Sequence, residues 1–340
     1  MNSNWQEFLG ACGARIDQAT VSDFGDRPGE LAAARTATVI SPLTHLGLID
    51  FSGEDAKSFL HNQLTSDVNH LEPAAAQHSA WCTAKGRMLA SLLLYRSGTA
   101  YRALLAADLQ AATQKRLQMF VLRSKVVIGN VSDRNEMIGL SGPNAAATLT
   151  AAGLPAPALP LEVAAFADGE VIRVDETRYL LIVASGAAKT LWPQLAASAR
   201  PVGTPVWQWL DIQAGIPLIS EATKEAFIPQ MTNFDKIGGV SFHKGCYPGQ
   251  EIVARTQYLG KVKRHLYRIH AESIIAAGDP LFCAQSPDPE HPCGMVANAA
   301  PSPEGGYDAM AVIQETFATA NDLELGALGG QRMTGAPSAL

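Results

Sequence analysis

The amino-acid sequence predicts an α+β fold that ends in a small β-barrel, and two features of the chain support this prediction. Between Thr38 and Ser198, apolar patterns follow the order strand, helix, strand, strand, helix, and this order occurs twice. After Gly260 the helical spacing disappears, and short apolar runs alternate with glycine and proline, as in small barrels. The 340 residues are 47% hydrophobic and 17% charged, which is typical of a globular chain with two or three domains.

The first repeat begins with a strand and turn between Thr38 and Phe51. Its helix starts at Ser52–Asp55, where a small residue followed by two acids suits a helix N-terminus. The remaining predicted elements are strands at Met88–Tyr95 and Tyr101–Ala106, a helix at Asp108–Phe120 and a strand at Val126–Val131.

The second repeat begins with a short strand at Met137–Leu140 and an Ala-rich helix after Gly142-Pro143-Asn144. A hairpin of Val171–Val174 and Tyr179–Ala184 follows, and then a helix at Ala187–Ser198. This order fits two ferredoxin-like halves better than a doubly wound sheet. Residue identity between the halves is low, so the repeat is inferred from the order of elements alone.

We expect four regions along the chain. Residues 1–240 form two α+β domains that can be interleaved, and residues 241–259 form a loop and a connector. Residues 260–324 form the C-terminal β-barrel, and residues 325–340, rich in Gly, Ala and Ser, form a disordered tail. Residues 1–35 carry only a weak pattern, and no element is predicted there.

Bulk charge and cysteine content argue against several classes of protein. The formal net charge of −6 argues against a chain that binds nucleic acid over its whole surface. The five cysteines are scattered without a CxxC pair, so we expect a reducing compartment and no zinc site. The first residues lack a basic region followed by an apolar run, and no apolar run is long enough for a membrane helix. These features predict a cytoplasmic protein with no membrane partner.

The segment with the greatest density of reactive groups is Lys244–Glu251, here called the signature loop. It combines an ammonium, a thiol, a phenol, an amide and a carboxylate. Its proline and two glycines indicate a loop, and glycine lets the backbone come close to a bound molecule. Positive charge from Lys244 favours the reactive thiolate of Cys246. The alternative is an inert cysteine that behaves as a small apolar residue, and the loop by itself leaves both hypotheses open.

A basic segment follows the signature loop. Between Glu251 and Glu272 the chain has no acid, and it carries five cations: Arg255, Lys261, Lys263, Arg264 and Arg268. Such a segment can hold phosphates or a string of carboxylates. The alternative is a solvated strand face, since alternate residues of a strand point outward.

Two further segments carry polar groups. In Phe227–Asp235, amides and a hydroxyl between aromatic residues can bind a flat heterocycle, although Asn and Asp also form ordinary turns. In Ala84–Met88 a Lys-Gly-Arg triplet precedes a strand, which is typical of a hairpin, and the GK[ST] ending of a P-loop is absent. The chain also lacks GxGxxG, HExxH and GxSxG motifs, so the dinucleotide-binding, metalloprotease and common hydrolase classes lose support.

The signature loop and the Ile252–Arg255 stretch behind it closely resemble the signature of the YgfZ-type folate-binding proteins. These are relatives of the glycine-cleavage T-protein, an aminomethyltransferase. The resemblance extends from about Thr38 to about Gln314, and the octapeptide is its most specific part. Further stretches agree in order and spacing: Gly53–Ala56 through Gln63–Val68, Ala84–Met88 and Phe227–Asn233.

This resemblance implies a GcvT/YgfZ-like fold of three domains around a central channel, with residues 1–240 as the folate-binding region. The implied cofactor is tetrahydrofolate, held in that channel. The implied role is the synthesis or repair of iron–sulfur clusters in certain enzymes, including tRNA-modifying ones. The implied partners are therefore iron–sulfur client enzymes or assembly proteins, and direct nucleic-acid binding and a resident metal are not expected.

The resemblance and the loop chemistry together give the candidate site residues. Cys246 is the candidate catalytic residue, with Lys244 beside it. Polar side chains near Gln230 would fix the pterin, and basic residues would hold the carboxylates of the folate tail. The candidate folate-binding residues are Gln230, Asn233, Tyr247, Gln250, Glu251, Arg255, Lys261 and Lys263.

The chain departs from the aminomethyltransferases at one position of the site. In those enzymes, the strand after the Lys-Gly turn carries an acidic pair that serves the folate reaction. Aligning Gly86–Leu89 with that turn puts Ala90 and Ser91 in the acidic positions, and neither is a general base. A folate-dependent aminomethyl or one-carbon transferase is therefore the alternative function. A third hypothesis is an RNA-binding protein that uses the basic segment, and the acidic net charge argues against it.

Overall fold

The computed structural model describes residues 2–318, 323–333 and 337–339, and it confirms a mixed α+β fold in these ranges. The α-helices are Ser3–Ala11, Arg27–Ala33, Ala56–Gln63, Ala107–Val121, Ala145–Ala151, Ser185–Ala196, Thr204–Ala214 and Gln250–Tyr258. Short 3-10 turns occur at Val68–His70, Ser132–Arg134, Pro229–Thr232 and Glu315–Phe317. The chain divides into two compact units.

The first unit comprises the residues up to Lys57, His70–Gln77 and Leu93–Trp207. It contains a six-stranded sheet in the order Val163–Phe166, Gly169–Arg173, Arg178–Ala184, Asn135–Ser141, Val39–Pro42 and Arg200–Pro201. All neighbours are antiparallel except the last pair, which is parallel. Val39–Pro42 belongs to the first repeat in sequence but pairs with Asn135–Ser141 of the second, so the strands of the two repeats are interleaved.

The first repeat supplies further strands to this unit. Leu46–Ser52 lies between Ala100–Ala106 and Val127–Asn130, antiparallel to both. Ala100–Ala106 also pairs with the end of strand Met88–Ser97, from Leu93 onward. Helix Ala107–Val121 packs on this sheet. These elements confirm the predicted order of strands and helix, with bounds that differ by a few residues.

The core of the first unit lies between its six-stranded sheet and its helices. Ile138 and Leu181 from the central strands are fully buried against Trp192 of helix Ser185–Ala196. Helix Ser3–Ala11 adds Trp5 and Leu9 to this cluster, and the ring of Trp5 lies edge-on to that of Trp192, with centroids 5.8 Å apart. Tight packing of aromatic edges and faces adds to the hydrophobic stabilisation of the unit.

The first 35 residues are more ordered than their sequence pattern indicates. They form helix Ser3–Ala11, a hairpin of Arg15–Asp17 and Thr20–Asp23, and helix Arg27–Ala33. The Asn2 side chain caps the first helix by accepting a hydrogen bond from the Asn4 N–H at 2.9 Å. In helix Ser3–Ala11 the buried residues are Trp5 and Leu9, and one such pair at helical spacing is too little to predict a helix from sequence.

The second unit comprises Ser58–Asn69, His78–Leu92 and the described residues from Gln208 to the C-terminal end. It includes most of strand Ala76–Cys82 and the first half of Met88–Ser97. Its main sheet has seven strands in the order Gln331–Arg332, Leu323–Leu325, Pro280–Cys283, Gly294–Pro301, Tyr307–Gln314, Arg264–Ala271 and Ser338–Ala339. Apolar residues such as Leu281, Val296 and Ile313 are buried on one face. The sheet curls into a half-barrel, which confirms the predicted barrel-like C-terminal region.

Two segments differ from their predicted structure. Residues 241–259, predicted to be a loop and a connector, contain helix Gln250–Tyr258, which has Val253 as its only buried residue and therefore shows no apolar stripe. Residues 325–340, predicted to be a disordered tail, contribute the two-residue strands Gln331–Arg332 and Ser338–Ala339. The rest of that predicted tail at 334–336 and 340 lies outside the described residues.

The central channel concerns the arrangement of the units and stays a prediction, as do the predicted domain boundaries. No helix in the described ranges has the length and apolar character needed to cross a membrane.

Candidate functional site

Several of the stretches singled out in the sequence meet in the second unit. The backbone N–H of Met88 donates to the carbonyl of Phe227 at 2.8 Å. The hydroxyl of Thr65 donates to the carbonyl of Gly239 at 2.6 Å, five residues before the signature loop. Both ends of the segment from Phe227 to Gly239 are therefore held by the other motifs.

Glycine contacts join the signature loop to the Lys-Gly-Arg turn. Gly249 has a φ of +84°, and a Cβ there would lie 2.4 Å from the carbonyl oxygen of Thr83 and 2.7 Å from the Cα of Gly86. Gly86 also has a positive φ, and a Cβ on it would lie 3.1 Å from the side chain of Ile252. Gly249 is therefore glycine because backbone packs on backbone, and not because a ligand approaches it.

Lys244 lies inside the unit, with 8% of its surface exposed. Its Nζ donates to the carbonyl oxygens of His61 and Leu64, the latter at 2.5 Å. These carbonyls lie at the C-terminal end of helix Ala56–Gln63, where the helix dipole favours a cation. Burial lowers the pKa of Lys244 to about 8, and the carboxylate of Asp67 opposes this shift. Lys244 therefore anchors the signature loop to the helix.

Tyr247 forms the apolar side of the signature loop. It is 7% exposed, and the Nζ of Lys244 lies 5.0 Å from the centroid of its ring. Burial raises the pKa of the phenol, so Tyr247 stays neutral. The Tyr247 ring packs against the buried ammonium of Lys244 and anchors the signature loop in the interior of the unit.

Cys246 is the accessible thiol of the site. None of the five cysteines forms a disulfide; Cys12 and Cys246 are exposed, and the other three are buried. Burial raises the pKa of Cys82 to about 12, which makes that thiol inert at neutral pH. The loop therefore buries the residues on either side of Cys246, at Lys244 and Tyr247, and leaves the thiol itself exposed.

Gln250 and Glu251 begin the helix that follows the loop. Gln250 is half-buried, and its amide nitrogen lies 3.4 Å from the carbonyl oxygen of Lys244. Glu251 is exposed in the first turn, where the helix dipole favours an acid. Both residues have a local structural role, and only the carboxylate of Glu251 faces solvent.

Gln230 and Asn233 are buried, at 3% and 4% exposed. The amide nitrogen of Gln230 donates to the carbonyl of Val253 at 2.7 Å, which ties this segment to helix Gln250–Tyr258. Asn233 has a left-handed backbone, with φ of 56°, and ends the turn Pro229–Thr232. The segment therefore forms the turn that was the alternative hypothesis to a binding segment, and the side chains of Gln230 and Asn233 are buried in it.

The basic candidates lie at the surface. Arg255 is on the exposed side of helix Gln250–Tyr258, and Lys261 and Lys263 are exposed in the connection after it. Lys261 Nζ lies 3.6 Å from Glu315, an exposed ion pair of small energetic value. The structure brings Gln230 to the helix that carries Arg255, while Lys261 and Lys263 follow beyond the helix end.

Ala90 and Ser91 are both buried in strand Met88–Ser97, at 0% and 4% exposed. The hydroxyl of Ser91 accepts a hydrogen bond from the backbone N–H of Ile219 at 2.9 Å. Neither position carries a carboxylate, so this strand lacks the acidic groups that the aminomethyltransferases are expected to have there.

Sequence reasoning missed His61 and Asp67. His61 Nδ1 lies 3.3 Å from Asp67 Oδ1, and the two side chains are 12% and 26% exposed. The other ring nitrogen of His61 is 3.7 Å from the position of a Cβ built on Gly245. A protonated His61 forms an ion pair with Asp67, and the two side chains lie next to Gly245, the residue before Cys246. Asp67 lies in the Gln63–Val68 stretch that supports the family resemblance, and His61 lies six residues before it. This short separation was the signal in the sequence that the two side chains are close together.

The described residues contain no group of three or more His, Cys, Asp or Glu side chains that could hold a metal ion. The chemistry available at the site is therefore that of an exposed thiol, a buried ammonium, an imidazole–carboxylate pair and a buried amide.

Comparison with known proteins agrees with these features. A family model described as the GCVT N-terminal domain matches residues 23–160. The tRNA-modifying protein YgfZ of Yersinia pseudotuberculosis serotype O:1b is 33% identical over 264 residues, which cover 76% of this chain and 79% of that protein. The tRNA-modifying protein YgfZ of Klebsiella pneumoniae strain 342 is 32% identical over 264 residues, covering 74% and 77%.

Among solved structures, the glycine cleavage system aminomethyltransferase T from Bartonella henselae has the same fold. The TM-score is 0.82, and the match covers 99% of this chain and 96% of that one at 18% identity. At this identity the likeness establishes a GcvT-like fold and nothing about activity. The sequence identity to the YgfZ proteins across three quarters of the chain confirms the resemblance carried by the signature loop, and this chain belongs to the YgfZ family.

Proposed function

We propose that this protein is cytoplasmic, binds tetrahydrofolate and supports the synthesis or repair of iron–sulfur clusters in certain enzymes, including enzymes that modify tRNA. The observation that carries the proposal is the construction of the signature loop. Lys244 and Tyr247 are buried and Gly249 packs on a neighbouring turn, so the loop is anchored at three positions and presents Cys246 to solvent. An anchored loop that presents a single thiol suits a contact with a folate or with a client protein.

The residues around Gln230 fit the pterin of a reduced folate. Gln230 Oε1 and Asp235 Oδ1 are buried, and neither has a hydrogen-bond partner among the described residues. A buried acceptor without a partner costs free energy, and the N–H groups of a pterin are donors that satisfy such acceptors. Burial raises the pKa of Asp235, and hydrogen bonds from the backbone N–H groups of Asp235 and Lys236 oppose this shift.

The basic segment suits the other end of the same molecule. The tail of a folate carries carboxylates, and Arg255, Lys261 and Lys263 are exposed cations on and after the helix that Gln230 contacts. These residues would orient the folate by holding its tail. Tetrahydrofolate, when bound, supplies a carrier for one-carbon groups.

The alternative is a folate-dependent aminomethyl or one-carbon transferase. It requires a base near the reacting nitrogen, and the positions expected for that base are Ala90 and Ser91. Ser91 already accepts a hydrogen bond from Ile219, which argues further against proton abstraction there. The pair His61–Asp67 beside the signature loop is the feature that favours an enzymatic role.

The proposed partners are iron–sulfur client enzymes or assembly proteins. Direct nucleic-acid binding is not proposed, because the chain has a net charge of −6. The two forms of the proposal differ in their readout. An assembly factor co-purifies with a client in fixed ratio without turnover, whereas an enzyme turns over a one-carbon substrate steadily and loses that turnover in Cys246→Ala.

The two exposed cysteines give a matched experiment. Cys246→Ala and Cys12→Ala remove one exposed thiol each, so neither substitution leaves a buried cavity. Each variant replaces the wild-type protein in cells, and the activity of an iron–sulfur tRNA-thiolating enzyme is measured together with the abundance of the variant. We expect Cys246→Ala to lose this support and Cys12→Ala to keep it. Full support by Cys246→Ala at normal abundance contradicts the role of the thiol.

A further inference from the structure

The first unit contains a cavity of about 170 Å³. Trp5 of the first helix, Leu43 and Met137 supply apolar surface, and Thr44, Asn130 and Glu136 supply oxygen atoms. All lining residues belong to the first unit, whereas the signature loop belongs to the second. The cavity is therefore a separate feature of the protein.

Glu136 is the charged group of this cavity that is taken out of water. It is 4% exposed, and its Oε1 accepts a hydrogen bond from the hydroxyl of Ser185 at 2.8 Å. Among the described residues, no basic nitrogen lies within 4.0 Å of its carboxylate; the N-terminal ammonium and, more weakly, Lys189 favour its ionised form electrostatically. An ionised carboxyl held in this way is poorly compensated, because one neutral hydrogen bond replaces little of its hydration.

Burial accordingly raises the pKa of Glu136 to about 7. The hydrogen bond from Ser185, the N-terminal ammonium and Lys189 oppose this shift, and Asp133, the other acid that lines the cavity, reinforces it. Near neutral pH the carboxyl is therefore divided between its neutral and ionised forms. A cation in the cavity would favour the ionised form.

The remaining polar atoms of the wall are mainly acceptors. Asn130 Oδ1 accepts from the N–H of Ser132 at 2.9 Å, and Thr44 Oγ1 accepts weakly from the N–H of Val21 at 3.4 Å. Each of these oxygens has a second lone pair. A wall that combines acceptors, a buried carboxyl and apolar side chains suits a ligand with several N–H donors and a small apolar body.

We propose that this cavity binds a small primary ammonium compound with a short apolar chain, whose ammonium group pairs with Glu136. The size agrees, since a cavity of about 150 Å³ holds a molecule as large as benzene, whereas a single water needs far less space. The apolar body would lie against Trp5 and Met137, and the ammonium would pair directly with the carboxylate of Glu136.

The proposal makes a quantitative statement about pH. An alkylammonium stays protonated between pH 6 and pH 8, and Glu136 changes from mostly neutral to mostly ionised over this range. If only the ionised form binds, the affinity rises about tenfold from pH 6 to pH 8. Binding at pH 6 releases close to one proton, which calorimetry in buffers of different ionisation enthalpy detects.

The test uses n-butylammonium as the probe and n-butanol as its neutral match, with the full-length protein and isothermal calorimetry at pH 6 and pH 8. We expect saturable 1:1 binding of n-butylammonium, about tenfold tighter at pH 8, and no comparable binding of n-butanol. Glu136→Gln should lose the pH dependence and at least tenfold in affinity at pH 8. Glu7→Gln, an exposed carboxyl on the helix that carries Trp5, is the matched control and should bind as wild type.

Two measurements keep the proposal testable if Glu136→Gln does not fold. The comparison of n-butylammonium with n-butanol needs only the wild-type protein. Ala107→Leu adds a side chain at the wall without altering Glu136, and it should block binding. The proposal is overturned if wild type shows no saturable binding, if n-butanol binds equally well, or if folded Glu136→Gln binds as tightly as wild type.

Discussion

Replacing Lys244 by methionine tests whether this residue anchors the signature loop. Methionine keeps the length and the apolar stem, but it removes the ammonium that bonds the carbonyls of His61 and Leu64. Two buried acceptors without partners cost about 2–6 kcal/mol together. The methionine variant also avoids the cost of burying the Lys244 charge, and this offsets part of the cost of the two unpaired acceptors. The fall in pKa from 10.5 to about 8 corresponds to about 3 kcal/mol. At neutral pH we expect the free energy of unfolding to fall by about 1–3 kcal/mol.

The pH dependence gives a sharper result. Lys244 has a folded-state pKa of about 8 and an ordinary value of 10.5, so between these values the unfolded state binds more protons than the folded state. Wild-type stability therefore gains from this residue as pH rises through that window, and the gain is lost as pH falls through about 8. The methionine variant lacks this contribution. The difference between the two proteins should widen by about 2 kcal/mol from pH 7 to pH 9.5.

The assay is urea denaturation of wild type, Lys244→Met and Lys85→Met at both pH values. Lys85 is exposed in the same unit, so its replacement controls for the general loss of a lysine charge. We expect Lys85→Met to follow wild type within about 0.5 kcal/mol at each pH. A gap between wild type and Lys244→Met that stays constant with pH refutes the buried-ammonium argument.

Three further predictions concern stability around the same loop, each measured by denaturant unfolding. Gly249→Ala should lower the free energy of unfolding by at least about 2 kcal/mol, because the φ of Gly249 is positive and the new Cβ would contact the Thr83 carbonyl. At Gly245 the nearest atom to a new Cβ is 3.7 Å away, so Gly245→Ala should lower the free energy of unfolding by less than about 1 kcal/mol. Thr65→Val should lower the free energy of unfolding by about 2–4 kcal/mol, because the Thr65 hydroxyl donates to the carbonyl of Gly239 and accepts from the N–H of Ala80. An unchanged stability would mean that water takes the place of the hydroxyl. Cys246→Ser should unfold at the same urea concentration as wild type, since the thiol is exposed.

The order of secondary structure was predictable wherever apolar periodicity was strong. Helix Ala107–Val121 buries Leu109 and Leu117 at helical spacing, and strand Arg178–Ala184 is buried along almost its whole length, so both patterns are visible in the sequence. Helix Gln250–Tyr258 was not predictable, because its position depends on the left-handed Gly249 and on the hydrogen bond from Gln230. The pairing of Val39–Pro42 with the second repeat is a long-range contact that no local pattern encodes.

The candidate site residues stay a prediction, and the structure separates their positions in the fold. The residue types of the signature loop identified Lys244 and Cys246 as candidates, but both were considered for reactivity. Only the structure separates them, since one side chain is buried against a helix end and the other is exposed. His61 was missed because its neighbour in space, Gly245, is 184 residues away in sequence, and such a contact leaves no local signal.

Calorimetric titration with tetrahydrofolate tests the central proposal most directly. We expect 1:1 binding to the wild-type protein, and binding weakened about tenfold or more, with a reduced dependence on salt, in a variant with Arg255, Lys261 and Lys263 changed to glutamine. The matched control removes three exposed charges of the first unit, at Lys115, Arg116 and Arg123. This control should bind tetrahydrofolate as wild type does. No measurable binding of tetrahydrofolate to the folded wild-type protein contradicts the account.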